Sequence, residues 1–234
     1  MTMPLAETRA FTTVKGKSLT RADIEAASVS AMPSLLIDCD LETVNLSNLD
    51  MTGWNFEGCS LKGTNLTGAK FENASFAGCR GAFANFTAAR LTDVVFKSCD
   101  FNNANFAGAS LSHASFNGCK LTGADLTRIE SLGLSFKETI LSAARLPNIS
   151  FRRTRIQRVD FSFADITKCD FREAVFDSCS LREALMNDAR FEGADLRDAD
   201  LGGIRLNDAR KFRGATISIS QAGDILSELG LSVE

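Results

Sequence analysis

Tyrosine is absent from this chain, yet phenylalanine occurs eighteen times in 234 residues. Rings without a phenolic hydroxyl suit sites where no hydrogen-bond partner is in reach. There is one histidine, His113, which excludes multi-histidine metal sites and leaves little for imidazole acid–base chemistry. No run of about 18 apolar residues exists, so no helical membrane span is expected. The stretch from Met1 to Phe11 carries Glu7 and Arg9 and has no apolar signal core, so a cytoplasmic location is expected. A net charge of only −3 argues against a basic surface for direct nucleic-acid binding. The 44% apolar and 24% charged residues fit an ordered globular protein.

What is present is a repeat. From Leu36 to Leu206, stepping by five gives 35 positions, and only Gly81 and Ser131 among them are not apolar. Fourteen of the eighteen phenylalanines stand at these centres. Two residues before each centre lies a small position, held by Ala, Cys, Ser or Thr in 26 of 35 cases, so a second inward site accompanies each large one. The other three residues of each unit are mostly polar. A period of five is neither helical nor a simple strand alternation. Inward steps of two and three alternate, so each unit is a short extended piece followed by a corner, and the chain must coil on itself.

All seven cysteines occupy the small position. Cys39, Cys59, Cys79, Cys99 and Cys119 are spaced by twenty, and Cys179 lies on the same lattice. Twenty residues are four units, so the column suggests a four-sided lap; duplication of repeats is the other origin for it. Just under nine such laps span roughly 40 Å at about 4.8 Å each. Stacked side chains run parallel, a poor arrangement for disulfides and for tetrahedral metal binding, and reduced thiols packed as small hydrophobes are expected.

Units such as Ala104-Asn105-Phe106-Ala107-Gly108, Ala124-Asp125-Leu126-Thr127-Arg128 and Ala194-Asp195-Leu196-Arg197-Asp198 match A(D/N)LXX. The chain resembles the pentapeptide-repeat proteins from Ser34 to Asp208. The resemblance implies an all-β solenoid, a right-handed quadrilateral β-helix, here with a short C-terminal helix. Three regions are expected: an N-terminal cap (1–33), the β-helix (34–210) and a C-terminal dimerisation tail (211–234). The cap has two readings, a partial first lap or a short helix from Leu19 to Ala31.

In the tail, Ala215 to Ile219 reads as a short strand, Ser220 as a helix N-cap, and Leu231-Ser232-Val233 as a second extended piece. Ile217 to Val233 resembles the tail of quinolone- and albicidin-resistance proteins of this family. That implies a homodimer through Ile217, Ile219, Ala222, Ile225, Leu226, Leu229 and Leu231, forming a rod that mimics duplex DNA. Its implied partner is a protein, bacterial DNA gyrase or topoisomerase IV. The loops that interrupt many such proteins are missing here. Between Asp160 and Arg210 there are twelve acidic and seven basic residues, a local net of −5. Asp188, Asp195, Asp198, Asp200 and Asp208 are the candidate acidic binding surface. The basic block Arg145, Arg152, Arg153, Arg155 and Arg158 has no role in that picture.

No nucleophile motif or phosphate-binding glycine loop occurs, so no catalytic residue, cofactor or metal is expected. A generic protein-interaction scaffold, such as a secreted effector or secretion accessory, is the competing function. Gly81 leaves a core gap that Phe83 fills by folding inward, unless the site is a bulge. Trp54 is oversized for a small position and implies a wider or distorted tube. Ser131 marks a local kink, and His113 faces outward.

Overall fold

The computed structural model describes residues 12–29, 33–203, 206–228 and 230–232. The strands β1 (Thr12–Lys15), β2 (Ser34–Ile37), β3 (Asn55–Glu57), β4 (Ser75–Ala77), β5 (Val95–Lys97), β6 (Ser115–Asn117), β7 (Ser135–Lys137), β8 (Arg155–Gln157) and β9 (Val175–Asp177) stack in chain order. Every pairing is parallel, and from β2 onward the register is twenty residues, as in Phe56 against Phe76 and Phe96 against Phe116. The other three sides carry single bridges at the same spacing, such as Ser60 with Arg80, Asn65 with Asn85 and Lys70 with Arg90. β10 (Cys179–Ser180) pairs with β11 (Ala199–Asp200) on one of these sides. Four units therefore close each lap of a right-handed quadrilateral β-helix.

The repeat builds its corners from one device. The residue after each centre and the next form a turn, and the small residue's N–H bonds back to the centre carbonyl, as Ala74 to Phe71 at 2.9 Å. The third turn residue has φ near +60°, a place for Gly or Asn. From Leu36 to Leu201 the centres other than Ser131 are buried, and so are the residues at the small positions except half-buried Val44, Leu49, Ile129 and Ala184 and exposed Thr154. Equivalent rings stack face to face: Phe56 on Phe76 at 4.6 Å, Phe96 on Phe116 at 4.4 Å, Phe86 on Phe106 at 4.9 Å. These separations equal the strand spacing, so the stacking and the ladder fit one another.

The strand side turns its corner differently. The N–H groups of Cys59, Cys79 and Cys99 do not bond back to the carbonyls of Phe56, Phe76 and Phe96 within the lap, as they would on the other sides. The thiols of Cys79, Cys99 and Cys119 in the next lap donate to them instead, at 3.3 to 3.5 Å. Thr139 does the same to Phe116 with its hydroxyl. All seven cysteines are free and buried.

Both readings of the N-terminal segment apply, in shifted positions. The partial lap is β1, in register with β2 through Val14 and Leu36, and the stretch 22–29 does not form it. Helix α1 (Arg21–Ser28) follows, with a Thr20–Asp23 capping box and Ile24 buried on the core. Arg21 Nη1 donates to the open carbonyls of Asn45 (3.0 Å) and Ser47 (3.2 Å), where a further lap would bond.

Four expectations require correction. Phe83 does not fold inward; it is 63% exposed, and the Phe101 ring of the next lap occupies the space a Gly81 Cβ would need. Trp54 does not distort its lap, because Ser34 and Ala74, its column neighbours, are small and the ladder through Ser75 to Trp54 is intact at 2.9 Å. The coil also continues past position 210. Phe212 stacks on Phe191 at 4.7 Å and Thr216 bridges Asp195, so a lap resumes with one extra residue, taken up in a 3-10 helix (Leu206–Phe212). Ala215 to Ile219 is not a strand: Thr216 makes the bridge alone, and Ile219 already begins helix α2 (Ile219–Glu228).

Ser131 does mark an irregularity. Among the described residues, the N–H groups of Arg128, Ser131 and Gly133 lack the bond to the next lap that their counterparts Gly108, Leu111 and His113 make. β7 keeps one paired residue with β8, Lys137 with Gln157. With no apolar centre at 131, Phe136 and Phe151 meet tilted by 47° at 6.2 Å.

Candidate functional site

The Gln221 side chain ties helix α2 to the coil. Ser218, not Ser220, caps α2: its hydroxyl accepts from Gln221 N (3.2 Å), and Gln221 Oε1 accepts from Ser218 N (2.6 Å). The spacing Ser-x-x-Gln is a capping box, which Ser220 could not form. Gln221 Nε2 then donates to Leu196 O (2.7 Å) and Ala199 O (2.6 Å), standing in for the next lap at the exposed end of the coil.

That hook divides the apolar residues of the tail. Ala222 and Ile225 are half-buried, and Ile225 lines a cleft of about 460 Å³ with Arg182, Asp200, Gly202, Gln221 and Asp224. Ile217, Ile219, Leu226 and Leu231 are exposed, Ile219 at 93%. Ile219 and Leu226, seven apart, share the outer helical face. Leu229 lies outside the described residues, as does Val233 of the expected last extended piece; Leu231 and Ser232 are not in a strand.

The five candidate aspartates are not alike. Asp195 is paired with Arg197 (2.6 Å), Asp200 with Arg182 (2.9 Å) and Asp208 with Lys211 (2.6 Å). The hydrogen bond from Arg197 holds the Asp195 carboxyl below its usual range. Asp188 and Asp198 make no ion pair among the described residues, and Asp160, Asp165 and Glu183 share that state. The last three are absent from the candidate set. The acidic excess was legible in the composition, but which acids are neutralised depends on the neighbouring lap.

The basic block finds its place the same way. Glu173 accepts from Arg153 (2.7 Å) and Arg152 (3.0 Å), Asp177 from Arg155 (3.0 Å), Glu138 from Arg158, and Asp125 from Arg145 (3.1 Å). Each partner lies about one lap away, so the block is matched across laps and leaves no cationic patch. His113 is exposed and its ring lies over Gly133. Among the described residues no cluster of His, Cys, Asp or Glu could hold a metal, and no helix is long and apolar enough to cross a membrane.

Among the described residues of this surface the ion pairs concentrate between Asp125 and Lys211, carboxylates without one occur along the whole rod, from Asp38 and Asp40 to Asp188 and Asp198, and an exposed apolar helix face lies beyond them. Such a surface suits binding to a macromolecule better than enclosing a small substrate.

Comparison with known proteins agrees with this geometry. The family model "pentapeptide repeat region" matches residues 49–126, and "pentapeptide repeats (8 copies)" matches 34–63, 135–173 and 174–210. Among solved structures, full-length QnrB1, a plasmid-mediated fluoroquinolone resistance protein, superposes with a TM-score of 0.73 at 21% identity, covering 85% of this chain and 100% of that one. Two trypsin-treated variants of QnrB1 give TM-scores of 0.68 and 0.65 at 22% identity, each covering 86% of this chain and 99% of theirs. At this identity the likeness is one of fold. A search of curated proteins by sequence finds no match.

Proposed function

Because the chain belongs to the pentapeptide-repeat family, we propose that it acts by binding and not by catalysis, as a DNA-mimicking rod that occupies a bacterial type II topoisomerase, DNA gyrase or topoisomerase IV, and shields it from inhibitors. The observation that carries this reading is the group of carboxylates that make no ion pair among the described residues, Asp160, Asp165, Glu183, Asp188 and Asp198, on a backbone fixed lap upon lap. Charge presented on a rigid frame loses little entropy on binding and steers association with a basic groove. The fold likeness to a fluoroquinolone resistance protein along the whole rod supports it. A homodimer through Ile217, Ile219, Leu226 and Leu231 doubles the rod length and removes the exposed apolar face from water.

Competition with DNA tests the proposal. Gyrase immobilised on a sensor should bind the protein, and linear duplex DNA should displace it in a concentration-dependent way. Binding unaffected by saturating duplex would reject DNA mimicry and leave a plain protein contact.

A further inference from the structure

Two phenylalanines point away from the core of the rod, and they share one corner. Phe83 and Phe163 are 63% and 61% exposed. They stand in like units, Ala82-Phe83-Ala84-Asn85-Phe86-Thr87 and Ser162-Phe163-Ala164-Asp165-Ile166-Thr167, eighty residues apart. Eighty residues are four laps, so the rings lie about 19 Å apart along the same edge. Both sit at the third turn position, with φ of +60° and +59°. The left-handed region is strained for a bulky side chain, and the other residues of this column between and beside them are Gly63, Asn103, Gly123, Ala143 and Glu183. The fold gains nothing visible from a phenylalanine at either place.

The surroundings differ from other edges. Between the two rings the edge carries short, uncharged side chains, Asn102, Asn103, Thr122, Ser142 and Ala143. Exposed Ile140 and Leu185 stand on the columns either side of Phe163. Around Phe163 lie Asp160, Asp165 and Glu183, with Arg182 already paired to Asp200, and around Phe83 lie Lys62 and Arg80, with Asp100 bridged to Arg80 along the backbone. Apart from Arg182, none of these makes an ion pair among the described residues. The edge therefore has a net acidic end and a net basic end, each centred on a ring.

We propose that Phe83 and Phe163 are two anchors that set the position of the rod along its partner, a protein with a concave groove bearing two apolar pockets about 19 Å apart. A corner of a four-sided rod is convex, so only a concave surface covers it. Charge complementarity places basic groups around the pocket for Phe163 and acidic groups around the one for Phe83, which fixes direction as well as position. Duplex DNA has uniform charge and no apolar knobs, so these anchors supply the register that mimicry alone lacks. The inference rests on the topoisomerase reading and adds where the rod is held.

The test compares the intact protein with Phe83→Asn/Phe163→Asn, asparagine being the residue already used at Asn103 and Asn148 in left-handed turns. The double variant should melt at or above the wild-type temperature, because strain is relieved, while its affinity for gyrase holoenzyme falls about tenfold or more. A second variant, Phe163→Asn with Ala143→Phe, shortens the spacing by one lap and should bind as weakly. Affinity kept within about twofold in either variant overturns the proposal. So does a clear fall in melting temperature of the double variant, which would make the rings part of the fold. If the wild type itself does not bind gyrase, the topoisomerase reading fails and takes this inference with it, an outcome told apart by the wild-type measurement alone.

Discussion

The Cys79 thiol donates to the Phe56 carbonyl at 3.3 Å, across the boundary between two laps. That carbonyl is in the strand ladder but receives no turn bond from Cys59 N within its own lap, so the thiol adds a donor to its second lone pair. The cysteine column on the strand side thereby has a physical reason, a small side chain that also donates. Cys79→Ala should cost about 1 kcal/mol, the net worth of one intramolecular hydrogen bond. Cys79→Thr should cost clearly less, because Thr139 already fills the same role. Urea denaturation of the two variants checks the order; equal losses would show that volume alone matters.

Gly81 and Phe101 form a second coupled pair. The ring occupies the volume of a Cβ at 81, so Gly81→Ala should destabilise by about 1–3 kcal/mol through overpacking. Adding Phe101→Leu should recover part of that loss, a coupling that a double-mutant cycle by thermal melting would measure. Strict additivity would contradict the packing described.

Gln221 closes the C-terminal end of the coil through two carbonyls and the helix cap. Gln221→Ala should release α2 locally, with faster amide exchange at Ala222 and Ile225 and little change at β4 to β6. Unchanged exchange in α2 would mean that the helix is held by other contacts.

The outer face of α2 predicts the assembly state. Ile219→Glu with Leu226→Glu should give a monomer by light scattering at unchanged melting temperature, since both side chains are exposed. A dimer that survives both changes would place the interface elsewhere.

Glu173 gives a pH signature. Arg153 and then Arg152 hold its carboxyl down to about 2 from an ordinary 4.5. A carboxyl depressed in the fold stabilises above its unfolded value and loses that contribution as pH falls from about 4.5 toward 2. The pair is at the surface, so the effect is small and weakened by salt. Melting temperatures of wild type and Glu173→Gln should differ near neutrality and converge in acid; a constant offset would remove the ion pair as its cause.

The lattice of centres and small positions was legible in the sequence because two residues in five must face a common axis, and a core tolerates few exceptions. Gly81 was legible as an anomaly but its outcome was not, since the filling ring came from the next lap, twenty residues on. The same limit governs charge. Arg152 and Arg153 read as a basic block along the chain, yet their acid stands a lap away at Glu173. Register past Leu201 was lost to one extra residue in the 3-10 segment, and the Ser218 cap was hidden because Ser220 is also a cap-forming residue. Phe83 stands out in the sequence because Gly81 lies beside it, whereas nothing beside Phe163 marks it, although both occupy the same column.

The most direct test of the proposed function is a gyrase supercoiling assay with a fluoroquinolone present. Micromolar protein should restore supercoiling at drug concentrations that otherwise stop it, and should reduce drug-stabilised DNA cleavage. Supercoiling that stays blocked, with cleavage unchanged across the same protein range, would contradict the account.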